Sequence, residues 1–394
     1  MLLIKILFWV LIAIVLYTYI GYGILLWLLI KLRKRTSPAT GYRIDEDLPR
    51  VAHIIAAYNE EDFIGKKIDN ALSIDYPRHL SRIIIVADGS SDRTTELVKQ
   101  YPDVELLFQP MRKGKVAAMN RAVELTRDVD ILIFSDANTL LNRESFRYII
   151  DHYRDPRVGG VSGEKKVISD GQVPGQGEGL YWKYESVLKK LDSDYYSVVG
   201  AAGELFSLRR ELFEKVPENI VLDDFYISLN ICRRGLMVRY EPNAFAMETP
   251  SFSLKDEKKR KLRISAGAFQ SMVIMKDLLD ITRYGRLAFQ YISHRVFRWA
   301  VCPFALPLIL LLNIIIVGTQ GGEMYSFLLA AQVLFYILAL LGWLFSGSPK
   351  GRFKIFYVPY YFVFMNVSVW GGLVRYLNGA QSAMWEKARR ELPT

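Results

Sequence analysis

The sequence of 394 residues has few of the side chains that build disulfides or metal sites of the zinc type. Its two cysteines, Cys232 and Cys302, lie far apart, and its four histidines are scattered without the spacing of metal ligands. A disulfide framework and a cysteine-based zinc site are therefore excluded. We interpret the histidines as ordinary buried or surface residues.

Charged residues are missing from four long stretches, which cover residues 6–30, 299–322, 324–349 and 355–374. Each is at least as long as the roughly 20 residues that span the hydrocarbon core of a bilayer. The first stretch is too long for the apolar part of a signal peptide and lacks a small-residue cleavage site, so we predict a retained anchor. Two interpretations of the fourth stretch stay open: a full span, or a segment that re-enters or lies partly in the interface.

The net charge of +10 is concentrated beside these apolar stretches, at residues 31–35, 283–298 and 350–354. Lysine and arginine accumulate on the cytoplasmic side of membrane proteins. The distribution therefore predicts a multi-pass protein of the cytoplasmic (inner) membrane whose long polar segment faces the cytoplasm. It indicates membrane lipids, and not nucleic acid, as the partner of the basic residues.

The changes in composition predict six segments. They are an N-terminal anchor at 1–35, a linker at 36–50, a cytoplasmic domain at 51–253, amphipathic or interfacial helices at 254–298, transmembrane segments at 299–377 and a basic tail at 378–394.

The polar domain alternates short apolar runs with helical patterns. The apolar runs lie at 51–57, 82–88, 104–108 and 130–136. Runs this continuous are typical of strands covered on both faces, and their order favours an α/β fold with a doubly wound, mostly parallel sheet. Further along, residues 158–168 are predicted to be a strand, the glycine-rich residues 169–179 a loop and residues 221–235 a helix.

Acidic residues follow three of the predicted parallel strands. Glu60 follows the first, Asp88 ends the second and Asp136 ends the fourth. The carboxyl ends of parallel strands share one edge of a sheet, so we expect these side chains to converge on one crevice. A single acid in such a place is more often a helix N-cap, and that alternative stays open for each of them.

Two common nucleotide-binding motifs are missing. The sequence contains no Walker loop, and no G-x-G-x-x-G follows the first predicted strand. Binding of a nicotinamide or flavin cofactor is therefore not expected. A different anion site is favoured where Lys115 opens a predicted helix directly after Gly114, because the amide dipoles of a helix start attract anions.

Five motifs in order, "AAYNE", "VADGSSDRT", "RKGKVAAMN", "FSDANT" and "VLDDF", resemble those of the inverting glycosyltransferases of family 2. The resemblance covers residues 51–270. It implies a GT-A fold and a nucleotide-activated sugar as donor. The membrane segments on either side are similar to those of bacterial synthases of poly-N-acetylglucosamine, hyaluronan and cellulose.

The resemblance also implies roles for individual residues. The nucleotide would be bound by Ala57, Tyr58, Glu60, Asp88, Lys115 and Asp136. Asp136 and Asn138 would hold Mg²⁺ or Mn²⁺, and Asp224 would be the catalytic base. The diphosphate and the acceptor would meet Arg260, Arg263, Asp223 and Trp182. The residue types suit these roles, since a carboxylate can accept the N–H of a uracil, or the proton of an attacking hydroxyl.

Two motifs depart from the family pattern. Asn138 replaces the second acid of the Asp-x-Asp metal motif, which removes a negative charge from the ion. In "RKLRI", Arg263 is kept, but Arg260 and Ile264 replace the glutamine and tryptophan of Gln-x-x-Arg-Trp. The aromatic platform for the growing glycan is therefore missing there. Trp182 could stack on a sugar instead, or be a core residue.

We therefore predict a membrane-bound inverting glycosyltransferase that uses a UDP-sugar. Its acceptor would be a growing exopolysaccharide or a polyprenyl-linked glycan. Two alternatives remain at this point: a processive synthase that secretes its product through its membrane helices, and an inactive subunit of a secretion complex that binds nucleotide sugar. A homo-oligomer or a partner subunit fits the processive form.

Overall fold

The structure is a computed structural model that describes residues 1–33, 48–167, 173–248, 254–346 and 353–380, with the backbone alone at 173–180 and 254–255. The helices over these residues are α1 (Leu2–Leu16), α2 (Tyr22–Leu32), α3 (Ile64–Leu72), α4 (Thr94–Val98), α5 (Lys115–Glu124), α6 (Ser145–Asp151), α7 (Val173–Tyr195), α8 (Asp223–Arg233), α9 (Leu254–Ile274), α10 (Ile281–Tyr284), α11 (Arg286–Gln290), α12 (Cys302–Thr319), α13 (Glu323–Leu344) and α14 (Lys354–Leu377). The strands are β1 (Val51–Ala57), β2 (Ser81–Asp88), β3 (Glu105–Gln109), β4 (Ile131–Asp136), β5 (Leu140–Leu141), β6 (Val158–Val167), β7 (Leu205–Arg209) and β8 (Met237–Glu248).

The chain divides into two compact units. The sheet unit contains the described residues within 30–168 and 181–252, and the helical unit contains those within 1–29, 169–180 and 253–381. Residues 36–47 of the predicted linker and 381–394 of the predicted tail lie outside the described residues.

One sheet of eight strands, in the order β3-β2-β1-β4-β7-β6-β8-β5, runs through the described part of the sheet unit. β1 pairs in parallel with β2 and β4, and β2 pairs in parallel with β3. The other half is mixed. β7 runs antiparallel to both β4 and β6, and β5 antiparallel to β8, but β6 pairs in parallel with β8. The four strands predicted from the apolar runs are confirmed, but the sheet as a whole is mixed.

The central strands are buried on both faces, which explains their continuous apolar sequences. On one face Ile55 and Ile85 pack in a cluster with Ile64 and Ile68 of α3. The neighbour on β1 that points the opposite way, Ile54, is also 1% exposed. Since alternate residues of a strand point to opposite faces, both faces must be covered.

The prediction of a loop at 169–179 is wrong for residues 173–179, which form the beginning of α7. Pro174 is the second residue of that helix, in the first turn, where its missing N–H is not needed. Glycine costs only about 1 kcal/mol in a helix, so a glycine-rich segment can extend a strong helix that follows it. Residues 169–172 lie outside the described part of the chain.

The helical unit accounts for the apolar stretches. Three continuous helical segments among the described residues are long and apolar enough to cross a membrane: Leu2–Leu32, Arg286–Thr319 and Glu323–Leu344. The fourth predicted stretch forms α14, a helix of 24 residues that is not among these three. An added Cβ at Gly372 would lie 2.3 Å from Cβ of Ser265, so α14 packs closely on α9.

Candidate active site

The loops after β1 and β2 are tied together at the carboxyl edge of the sheet. Asn59 has a φ of 53°, a left-handed conformation that asparagine adopts more readily than most residues. Its N–H donates to Oγ of Ser90 at 3.1 Å, and its Oδ1 accepts the N–H of Ser91 at 2.8 Å. The N–H of Glu60 donates to Oγ1 of Thr94 at 2.8 Å. These bonds end the strand and bring the chain into α3, so the polar cluster after β1 has a structural use of its own.

Asp88 anchors the loop that precedes α5. Its Oδ2 accepts the N–H groups of Lys113 and Gly114 at 2.9 and 2.6 Å, and its Oδ1 accepts from the guanidinium of Arg121 at 2.9 Å. Its side chain is only 5% exposed. The carboxylate therefore fixes the Lys113–Gly114 backbone. Its predicted contact with the base stays a prediction. Arg121 was not anticipated from the sequence.

The ring of Tyr58 is covered by a cation. The guanidinium carbon of Arg112 lies 3.6 Å from the ring centroid, in contact distance for a cation–π pair. Gly89, with a φ of 72°, makes room for this arginine, since an added Cβ would lie 2.6 Å from the backbone nitrogen of Arg112. A base that stacked on this face of Tyr58 would displace Arg112 or stack on it. Ala57, by contrast, is 2% exposed and packs in the core.

Lys115 joins the ends of two elements by its ammonium group. Its Nζ lies 2.7 Å from Oδ1 of Asp136, at the end of β4, and 3.8 Å from Oδ2 of Asp223, at the start of α8. Burial by itself would lower the pKa of Lys115, but Asp136, Asp223 and Asp224 outweigh it and raise that pKa above its ordinary value. Lys115 is therefore a permanent cation in the site.

The carboxyl group of Asp224 has a pKa well above the ordinary value for an aspartate. Burial, and then the neighbouring charge of Asp223, raise its pKa to about 7, against the opposing effect of Lys115. Its Oδ1 accepts the N–H of Phe225 at 2.8 Å. A carboxylate of this kind binds a proton more strongly than an ordinary one, which is the property a general base needs near neutral pH.

Gly203, in the "GAAGELF" segment (residues 200–206), lies against these groups. An added Cβ at Gly203 would be 3.3 Å from Oδ2 of Asp224 and 3.6 Å from Nζ of Lys115. The next residue, Glu204, pairs with Nζ of Lys165 at 2.7 Å. The "GAAGELF" segment therefore forms one wall of the site.

Trp182 lies beside the same ion pair. The ammonium of Lys165, whose side chain is fully buried, is 4.9 Å from the ring of Trp182, and that of Lys189 is 5.6 Å away. Lys165 also pairs with Glu248. The structure thus places Trp182 among charged side chains. Its predicted contact with the acceptor stays a prediction.

Asp136 and Asn138 were predicted to hold a divalent cation. The residues described by the structure contain no group of three or more His, Cys, Asp or Glu side chains placed to hold a metal. Asp136 and the partly exposed Asn138 offer oxygen donors of the type that Mg²⁺ and Mn²⁺ prefer, but one oxygen of Asp136 already contacts Lys115. This donor set fits an ion that is held jointly with the oxygens of a bound diphosphate.

Arg260 and Arg263 belong to α9, in the helical unit. Within that helix the guanidinium of Arg260 lies 3.7 Å from Glu257, and the ammonium of Lys261 lies 3.4 Å from the same carboxylate. Their predicted role toward diphosphate and acceptor stays a prediction.

Several known proteins are similar to parts of this chain. The model of "Glycosyl transferase family 2" matches residues 53–217. A poly-beta-1,6-N-acetyl-D-glucosamine synthase of Staphylococcus aureus is 24% identical over 251 residues, which are 61% of this chain and 59% of the relative. The synthase of Staphylococcus epidermidis is 21% identical over 248 residues, 60% of this chain and 58% of the relative. The match thus spans less than two thirds of the length of these relatives.

A solved structure shows a similar fold. The mannosyltransferase PcManGT from Pyrobaculum calidifontis, in complex with GDP-Man and Mn²⁺, superposes with a TM-score of 0.70 over 94% of this chain and 99% of its own, at 22% identity. The predicted GT-A fold is confirmed by this likeness. Residues 53–217 thus resemble the glycosyltransferases of family 2 in sequence, and the described residues share the GT-A fold.

Proposed function

We propose that this chain transfers a sugar from a UDP-sugar, with inversion, to a hydroxyl of a growing exopolysaccharide or a polyprenyl-linked glycan at the cytoplasmic face of the inner membrane. The observation that carries the proposal is Asp224, a carboxyl group with a pKa of about 7 beside the Lys115–Asp136 ion pair. The relatives that are poly-beta-1,6-N-acetyl-D-glucosamine synthases support an exopolysaccharide as the product.

Asp224 would act as the general base. As the acceptor hydroxyl attacks the anomeric carbon, the carboxylate takes its proton, and the bond from that carbon to the diphosphate oxygen breaks on the opposite side. Attack from that side inverts the configuration. The raised pKa makes Asp224 a stronger base than an ordinary aspartate, while the group is still largely ionised above pH 7.

Lys115 would bind the diphosphate. Its ammonium lies among three carboxylates in a partly buried site, where its charge interacts with an anion more strongly than in bulk water. A Mg²⁺ or Mn²⁺ ion held by Asp136 and Asn138 would neutralise charge on the leaving diphosphate. Asp223, 3.8 Å from Lys115, keeps the ammonium oriented between the two aspartates.

The length of the product distinguishes two forms of this function. The missing tryptophan in "RKLRI" favours addition of a single sugar, because one stacking contact for a sliding glycan is absent. The apolar helices favour a processive synthase that secretes its product. Separation of the product by length on a gel decides between them.

The central test replaces Asp224 by asparagine in the full chain in membranes. Removing a general base should lower sugar transfer by about 10²–10⁴-fold, measured as UDP release over a panel of UDP-sugars. Binding of UDP, measured by calorimetry, should remain. The matched control is Asp103→Asn, which changes an exposed acid far from the base in sequence. Full turnover in the Asp224 variant would refute the assignment.

A further inference from the structure

A lysine outside the predicted site is fully buried under it. Lys67 of α3 is 0% exposed, and its Nζ donates to the carbonyl oxygen of Thr139 at 2.9 Å. Burial lowers its pKa to about 7, with the charge of Asp136 acting in the opposite direction. A buried ammonium without a carboxylate in contact is costly, and a methionine would fill the same space without that cost. The fold alone therefore does not explain this residue.

Lys67 holds the turn that carries the predicted metal ligands. Thr139 follows Asp136-Ala137-Asn138 directly, and its Oγ1 donates to the carbonyl oxygen of Asp136 at 2.9 Å. One turn further along α3, Asn70 donates to the carbonyl of Leu141 and accepts its N–H, each at 2.8 Å. Residues three apart lie on one helix face, so α3 is hydrogen-bonded to the segment 139–141 through both Lys67 and Asn70.

The charge of Lys67 acts on the same place. Its ammonium attracts Asp136 from below the turn, while that of Lys115 contacts Asp136 at 2.7 Å. His53 is a buried residue of β1, and its Nε2 lies 2.8 Å from Oγ of Ser135 on the neighbouring β4. Burial lowers the pKa of His53 well below its ordinary value, so the ring stays neutral. Lys67, with a pKa of about 7, carries its positive charge below neutral pH, and an anion bound at the turn would favour this charged form.

We propose that Lys67 is a positioning residue of the diphosphate site: its buried ammonium fixes the Asp136–Asn138 turn from below and adds positive charge beneath the bound diphosphate. The inference rests on the proposed function, since the diphosphate is that of the sugar donor. It also gives α3 a second role. The helix packs against the core of the sheet, and it supports the segment after β4 through Lys67 and Asn70.

Calorimetry with inorganic pyrophosphate in buffer containing Mg²⁺ tests the proposal on the full chain. Lys67→Met should weaken pyrophosphate binding about tenfold, because one positive charge is lost near the bound anion at an effective dielectric constant of about 20. Lys66→Met is the matched control, because Lys66 is the exposed neighbour on the same helix, and its affinity should equal that of the wild type.

Two further variants separate charge from structure. Lys67→Gln keeps a hydrogen-bond donor for Thr139 but no charge, so it should bind pyrophosphate as weakly as Lys67→Met. Asn70→Ala removes the two hydrogen bonds to the backbone of Leu141 but no charge. It should therefore weaken binding of uridine and of pyrophosphate by the same factor. Lys67→Met removes a contact to this segment and also the charge, so it should weaken pyrophosphate binding more than uridine binding.

The proposal is overturned if the wild type does not bind pyrophosphate, if Lys67→Met binds it unchanged, if Lys67→Gln restores full affinity, or if Lys67→Met weakens uridine and pyrophosphate equally. Sugar transfer from UDP-sugars is measured separately on the wild type. Transfer with an unchanged pyrophosphate affinity in Lys67→Met would refute the role of Lys67 alone. A charge-dependent pyrophosphate site without any transfer would refute the proposed function alone.

Discussion

At the scale of single residues, Glu204 offers a way to test the environment of Asp224 without touching the base. The charge of Glu204 contributes to raising the pKa of Asp224, after burial and Asp223. In Glu204→Gln that contribution is lost, so the pKa of Asp224 should fall. The buried Lys165 keeps a carboxylate partner in this variant, because it also pairs with Glu248.

The measurement is the pH profile of kcat/KM, which reports the pKa of the free enzyme's base. A general base works only when it is deprotonated, so activity should fall as the pH drops through about 7 in the wild type. In Glu204→Gln this acidic limb should move to lower pH. The exposed Glu124 supplies the control variant Glu124→Gln, which should leave the limb in place. A limb that shifts to higher pH in Glu204→Gln would contradict the assignment of Asp224 as the titrating base.

The residues that the sequence revealed are those placed by strand ends and motifs. Asp136 and Lys115 could be placed near each other because a parallel strand ends at one and a helix begins at the other. Lys67 could not be found in that way, and for Gly203 the "GAAGELF" motif indicated the segment but not the groups it contacts. Lys67 contacts Thr139, 72 positions along the chain, through a register that no local pattern encodes. Gly203 is defined by what lies opposite it, Asp224 and Lys115.

At the scale of elements, the packing of α14 on α9 makes a prediction about stability. An added Cβ at Gly372 would lie 2.3 Å from Cβ of Ser265 and 2.8 Å from the backbone carbonyl carbon of the same residue. A change of side-chain rotamer moves neither of these atoms. At Gly371 the atom opposite is the end of a flexible side chain, Cδ2 of Leu262 at 2.4 Å. Gly372→Ala should therefore destabilise the protein by about 1–3 kcal/mol, and Gly371→Ala by less.

Thermal unfolding in detergent compares these variants. Gly318→Ala, in α12, is the control, because nothing lies within 4 Å of an added Cβ there and alanine favours a helix over glycine. It should melt at or above the temperature of the wild type. Equal melting temperatures for Gly372→Ala and Gly318→Ala would show that α14 does not pack on α9 in this way.

The elements that could be predicted are those with a strong local period. The runs at 51–57 and 82–88 correspond to β1 and β2 within one residue, because strands buried on both faces are apolar throughout. β8 escaped prediction since its residues alternate between buried and exposed and include Pro242 and Asn243, which are uncommon in strands. β5 has two residues, too few for any period to be visible.

At the scale of the whole molecule, the described residues divide into a sheet unit that contains Lys115, Asp136 and Asp224 and a helical unit that contains the apolar segments. Composition makes this division predictable, because a bilayer requires about 20 apolar residues for each span. The number of spans was harder to predict. The fourth uncharged stretch has Pro359, Asn366 and two glycines within a continuous helix, and its packing on α9 was not visible from composition.

The proposed orientation in the membrane makes the final prediction. In the sequence, basic residues follow the first apolar stretch and precede the second. The polar segment between them, which includes Lys99, should therefore face the cytoplasm, and Gln320, in the short connection between α12 and α13, should lie outside. The two native cysteines are buried, so a cysteine introduced by Gln320→Cys should react with an impermeant maleimide in intact cells. A cysteine introduced by Lys99→Cys, also at an exposed position, should react only after the inner membrane is permeabilised. The opposite pattern would place the site outside the cell, where nucleotide sugars are not supplied, and would refute the proposed orientation.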